Sequence, residues 1–242
     1  MTEIILKGLI FFLSGFVQGL TGFAFALLAV PLLSLLGSLR ASVGQMATVG
    51  MIIILYSYYL HRKEACVKRV LPLAFCAIAS MPLGAVFLVY TPERYATIAL
   101  GVVLILLVVS TRFWNARSTD FIKSKTAGYI FAGISGLLGG AFSAPGPIIV
   151  AYFTNSEFHP LQAKANTQLF FAFTSVALFF THLFSGTITR NIILGSISLI
   201  PLSLGGTYLG VYISRGLSSK ILKTLIEVSL IVIALYLILT RL

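Results

Sequence analysis

Two short strings gather polar and conformationally special residues in an otherwise apolar chain: Gln18-Gly19-Leu20-Thr21-Gly22-Phe23 and Gly139-Gly140-Ala141-Phe142-Ser143-Ala144-Pro145-Gly146-Pro147. Glycine lets a ligand approach the backbone, Gln18 offers an amide, and Thr21 and Ser143 offer hydroxyls. Pro145 and Pro147 each lack a backbone donor and clash with the preceding turn, so a helix is not expected to run unbroken through 143–148. A helix that starts inside a membrane leaves up to four N–H groups unpaired and presents the positive end of its dipole, which attracts anions. Pro147 suits the first turn of such a helix. These residue types therefore point to reversible binding of a small anion by Gln18, Gly19, Thr21, Gly22, Ser143, Pro145, Gly146 and Pro147. The glycines of Gly15-x-x-x-Gly19 and Gly206-x-x-x-Gly210 equally suit close helix packing, but packing alone does not require Pro-Gly-Pro.

A second polar set begins the spans that follow each string. Gln45 and Thr48 stand in one, and Lys164, Asn166, Thr167 and Gln168 in the other, with Lys164 the one cation close to either string. These residues either face the same site or cap their helices at the water interface. Glu227 lies within an apolar stretch, four residues after Lys223, and pairing across one helical turn would neutralise it. His182, near the end of its span, reads as an interfacial histidine or a proton-coupling group. No catalytic set emerges: there is no GxSxG, HExxH or phosphate-binding loop, and the six acidic residues are scattered. Cys66 and Cys76 show neither a disulfide framework nor metal-ligand spacing, so no metal site and no cofactor is expected.

The elements that must position these residues are membrane spans. Of 242 residues, 58% are hydrophobic and 10% charged, against about 25% charged in soluble domains. The +11 balance is not clustered as a nucleic-acid surface would be, and instead marks cytoplasmic loops. Apolar segments occupy roughly 4–36, 41–60, 71–90, 95–113, 127–153, 167–184, 191–213 and 221–240. The first apolar run continues well past the ~7–15 residues of a signal core, so it is expected to stay in the protein. The first and fifth segments are too long for single crossings of a core about 30 Å thick, and both carry breakers at the middle, so each reads as a broken or re-entrant helix.

The order of one broken segment followed by three ordinary ones occurs twice. Gly15-Phe16-Val17-Gln18-Gly19 aligns with Gly136-Leu137-Leu138-Gly139-Gly140, and Gly84 with Gly206. The expected fold is an all-α transmembrane bundle: repeat one over 1–116, a basic cytoplasmic linker over 117–126, and repeat two over 127–242. Loop charge favours inverted over parallel halves by a single residue, and the basic stretch Arg215 to Lys223 leans the same way. Duplication with a discontinuous segment in each half points to a secondary transporter whose site lies where the breaks meet.

The string Gly15 to Leu33 resembles the first-repeat motif of the TauE/SafE family of sulfite exporter-like transporters. Gly133-Ile134-Ser135-Gly136-Leu137-Leu138-Gly139-Gly140 with Ala144-Pro145-Gly146-Pro147 and Tyr152 resembles the second. Ala24 stands where the family usually has glycine, and Lys164 where it often has arginine, keeping the charge without bidentate geometry. The resemblance implies a carrier of sulfite, sulfonates or related anions in a cell inner (plasma) membrane. It leaves open a proton or sodium ion as coupling ion, and a homo-oligomer. A scaffold subunit that carries nothing is the alternative.

Overall fold

The computed structural model describes residues 2–116, 122–156, 159–214 and 219–241, with side-chain detail for 3–110, 122–156, 159–214, 224 and 226–241. The Lys223 side chain and the linker positions 117–121 therefore lie outside what is described, and with that side chain goes its pairing with Glu227. The described chain is all helical: α1 (Thr2–Thr21), α2 (Phe25–Ser34), α3 (Leu39–His61), α4 (Val67–Tyr90), α5 (Glu93–Ala116), α6 (Lys125–Phe142), α7 (Gly146–Ser156), α8 (Pro160–Phe184), α9 (Arg190–Ile197), α10 (Ile200–Ile213) and α11 (Ser219–Leu239). Among the described residues, α1, α3, α4, α5 and α8 are each long and apolar enough to cross a bilayer. The α9–α10 pair makes a sixth candidate, bent by 51°.

Both overlong segments divide where their breakers stand, at Gly22 between α1 and α2 and at Ser143-Ala144-Pro145 between α6 and α7. The seventh segment departs from expectation, because 191–213 is not one straight span but α9 and α10 meeting at Ser198-Leu199. Pro201 sits in the first turn of α10, where its missing N–H costs nothing but helix continuation into α9 is lost.

Glycines set the packing of two long helix pairs. Gly15 and Gly19 of α1 lie against Ser203 and Thr207 of α10, while Gly206 and Gly210 lie against Phe12 and Phe16. Likewise Gly136 and Gly140 of α6 lie against Ala77 and Met81 of α4, and Gly84 lies against Leu137. A Cβ on Gly19 would come within 2.7 Å of Val211 N, and one on Gly84 within 2.6 Å of Ala141 N. The contacts are thus backbone on backbone, and both pairs run parallel, since position numbers rise together along each. Without a hydrophobic drive between helices in lipid, such close van der Waals approach is a main source of association.

Two other pairs run antiparallel. The end of α3 meets the start of α8, where Cys66 N donates to Asn166 Oδ1 at 2.7 Å, while Gly44 near the start of α3 faces Thr187 beyond the end of α8. Similarly Arg94 at the start of α5 donates to the Arg241 carbonyl after α11, and Gly101 faces Ala234 and Ile238.

Arg40 ties the start of α3 to the end of α4. Its Nε donates to Leu88 O at 3.1 Å, and one terminal nitrogen donates to Val89 O at 2.6 Å and Thr91 O at 3.1 Å, carbonyls that a helix end otherwise leaves unpaired. Glu93 completes the corner by accepting from Leu39 N at 2.8 Å. Arg40→Met should cost about 1.5–3 kcal/mol, the range for a hydrogen bond to a charged group. The check is thermal unfolding in detergent; an unchanged midpoint would show the corner to be held by packing alone.

Candidate functional site

The first break is closed by its own polar residues. Gly22 takes a left-handed φ of 86°, which glycine adopts without a Cβ clash. The Gln18 side chain is 2% exposed and bridges the gap: its Oε1 accepts from Phe25 N at 3.1 Å, in the first turn of α2, and its Nε2 donates to Gly22 O at 3.1 Å. Thr21 Oγ1 donates to Val17 O at 2.8 Å and accepts from Phe23 N at 3.4 Å. In this state Gln18 and Thr21 shape the break with their hydrogen bonds rather than holding them free for a ligand.

Helix α8 reaches into this break. Gln168, 1% exposed, donates from Nε2 to Gly22 O at 2.7 Å, and its Oε1 has no protein partner. A Cβ built on Gly22 would meet Gln168 Nε2 at 2.9 Å and Lys164 Cε at 3.6 Å, so the amide and the lysine stem converge on one glycine. Asn166 is fully buried, with its Oδ1 on Cys66 N. Because α8 starts at Pro160, these residues lie in its second and third turns, and Asn166 and Gln168 are buried rather than capping a helix at water.

The second break is built differently. Ser143 adopts a left-handed φ of 53°, its N–H bonds Gly139 O at 2.7 Å, and its hydroxyl donates to Val43 O of α3 at 3.3 Å. Helix α7 then begins at Gly146 with Pro147 in its first turn, as the Pro-Gly-Pro string predicts. A narrow, mostly apolar cleft opens beside Ser143 and Pro145, walled by Met46, Ala47, Gly50 and neighbours of α3 and by Thr174, Ser175 and Leu178 of α8. It has room for about one water molecule.

The two breaks touch: a Cβ on Gly146 would lie 3.1 Å from Phe23 O. Of the residues singled out in the sequence, Gln18, Thr21, Gly22, Lys164 and Gln168 come together at the first break, and Ser143, Pro145, Gly146 and Pro147 form the second. Gly19 is occupied with α10. Half-buried Gln45 lies on α3 near the second break, yet its neighbours Met46 and Ala47 line the cleft and it does not.

Sequence reasoning passed over Thr174 and Ser175, two adjacent hydroxyls in mid-span that line the cleft. They bond Phe170 O and Ala172 O of their own helix at 2.9 and 3.1 Å, so an entering ligand could recruit them by hydroxyl rotation. Their position in the middle of an apolar run is the signal that could have found them. Among the described residues no group of His, Cys, Asp or Glu is placed to hold a metal ion. The arrangement offers lysine charge, amides and hydroxyls between two helix breaks, which suits reversible anion binding and supplies no nucleophile with a base.

The family model described as Sulfite exporter TauE/SafE matches residues 8–237. No curated protein and no solved structure matches the chain.

Proposed function

The chain belongs to the sulfite exporter TauE/SafE family, a family of multi-pass membrane transporters and not enzymes, and from that premise we propose that it carries a small sulfur-containing anion, sulfite or a sulfonate, by alternating access between its two breaks. The observation that carries this reading is the contact of Gly146 with Phe23, with α8 reaching both breaks from one helix. Lys164 supplies the positive charge, Gln168 and the Gly22 turn fix one side of the anion, and Ser143, Thr174 and Ser175 offer hydroxyls on the other.

We further take the halves, 1–116 and 127–242, as inverted repeats about the linker, in a cell inner membrane. Helix order supports this: α1 to α5 correspond to α6, α7, α8, α9 with α10, and α11. A two-fold axis in the membrane plane requires each element to run against its own counterpart, and α3 against α8 and α5 against α11 do so. The same axis exchanges α1 on α10 for α6 on α4. Gly84 then corresponds to Gly210 rather than to Gly206, since Gly84 meets Leu137 as Gly210 meets Phe16. That offset of 126 exceeds the 121 between the two breaks by five residues, and the α9–α10 bend falls in the same stretch of the second half.

Purified protein in vesicles is expected to move radiolabelled sulfite or a sulfonate down its gradient. The double variant Gln18→Ala with Gly146→Leu should abolish that flux, because one change unties the first break and the other fills the contact between them. Flux at the level of the unaltered protein in the double variant would reject the site.

A further inference from the structure

We propose that His182, buried beside the carbonyl that closes the second break, is the proton-binding residue through which this transporter couples anion movement to a proton gradient. The proposal rests on the transport reading above and deepens it. His182 is 0% exposed, and neither Nδ1 nor Nε2 makes a hydrogen bond of good geometry, although the Gly139 carbonyl lies at the ring. A neutral imidazole carries one donor and one acceptor, and burying both unpaired costs free energy unless another state of the protein satisfies them. Its place near the end of α8 suggests an interfacial histidine, but the ring is covered by protein rather than open to water.

Its surroundings give that ring something to act on. The backbone group that faces it is the carbonyl of Gly139, which also receives the N–H of Ser143 at 2.7 Å and so sets the left-handed turn that ends α6. One turn earlier on α8, Leu178 lines the cleft and packs near Gly139. When an imidazole nitrogen takes a proton on its lone pair, both ring nitrogens become donors. The positive charge strengthens the contact of one of them with Gly139 O, so the charge state of the ring and the geometry of the break become linked.

Several charged and titratable groups on the elements packed against α8 are engaged elsewhere. Arg40 of α3 bonds the carbonyls at the end of α4, Arg69 of α4 bonds Ser156 O, and Cys76 of α4 bonds Tyr129 O. Tyr152 of α7 packs against Phe131 and Phe153, and Lys125 of α6 and Arg190 of α9 are exposed. His61 of α3, 121 positions before His182, differs in having a partner, with its Nδ1 2.9 Å from Ser57 O.

The test uses vesicles loaded with a pH-sensitive dye and given an inward sulfite gradient, with protein-free liposomes subtracted to remove protons carried across lipid by the neutral acid. The unaltered protein should move protons with sulfite. His182→Gln should still bind sulfite, read as a thermal shift, while its proton movement per sulfite falls at least about tenfold. Equal proton movement in the variant, or sulfite flux without proton movement in the unaltered protein, would overturn the proposal and leave the transport reading standing. If the variant does not fold, or if no sulfite binds at all, nitrogen NMR of labelled histidine in the unaltered protein decides. The ring must change charge between about pH 5 and 8, the range in which histidine switches, and a ring that stays neutral throughout overturns the proposal. Absence of sulfite binding counts against the transport reading instead.

Discussion

Gly19→Val should leave almost no folded protein in the membrane fraction. The new Cβ would fall on the backbone of α10, 2.7 Å from Val211 N and 2.9 Å from Gly210 Cα, and a backbone cannot rotate aside as a side chain can. Over-packing in a well-filled interior ordinarily costs about 1–3 kcal/mol. Here relief requires moving two whole helices apart, which also opens the contacts at Gly15, Gly206 and Gly210, so the loss should exceed that range. Gly205→Ala is the matched control: nothing lies within 4 Å of its added carbon, and alanine is the better helix former. Size-exclusion chromatography of the detergent-extracted protein reads both. A monodisperse peak for Gly19→Val at the unaltered yield would show that the α1–α10 approach is not what holds that pair together.

Gln18→Glu should keep the fold and lose the substrate. The replacement has the same shape, and a carboxylate still accepts from Phe25 N, so the start of α2 stays capped. What disappears is the donor to Gly22 O, leaving Gln168 Nε2 as the remaining side-chain donor to that carbonyl. A negative charge would also stand at the site proposed for the anion. At about 5 Å and an effective dielectric near 20, two like charges repel by about 3 kcal/mol, which corresponds to a loss of roughly a hundredfold in affinity. Sulfite binding measured by calorimetry should therefore fall by at least tenfold, and burial of the carboxylate beside Gly22 O should also lower the unfolding midpoint without ligand. Undiminished binding would place the anion away from the first break.

The backbone breaks were legible because proline and glycine act locally. Pro145 and Pro147 cannot sit within a continuous helix, and Gly22 carries the turn at the point where the first segment becomes too long for the bilayer. The bend between α9 and α10 was not legible. Its breaker, Pro201, lies at the start of a helix, a place where proline is tolerated, and the total length of 191–213 matches a simple crossing. Side-chain roles were legible only as types. Gln18 reads as an amide available to a ligand, yet the fold uses both ends of that amide to bridge the break, because burying an unpaired Phe25 N–H would be costly. His182 reads as interfacial from its distance along the helix, which says nothing about the neighbours that cover it.

The two breaks are unlike in one respect that bears on kinetics. Gly22 has Lys164 and Gln168 beside it, whereas Ser143, 121 positions later, has Val43 and Ala47 at the same interval. Under the proposed alternating access, a carrier with one charged and one neutral gate has no reason to show the same half-saturation concentration on its two faces. With no driving force applied, microscopic reversibility still holds Vmax/KM equal in both directions. The face with the higher KM must therefore also show the higher maximal rate, so the chemical difference between the gates would appear as unequal saturation on opposite sides of one membrane.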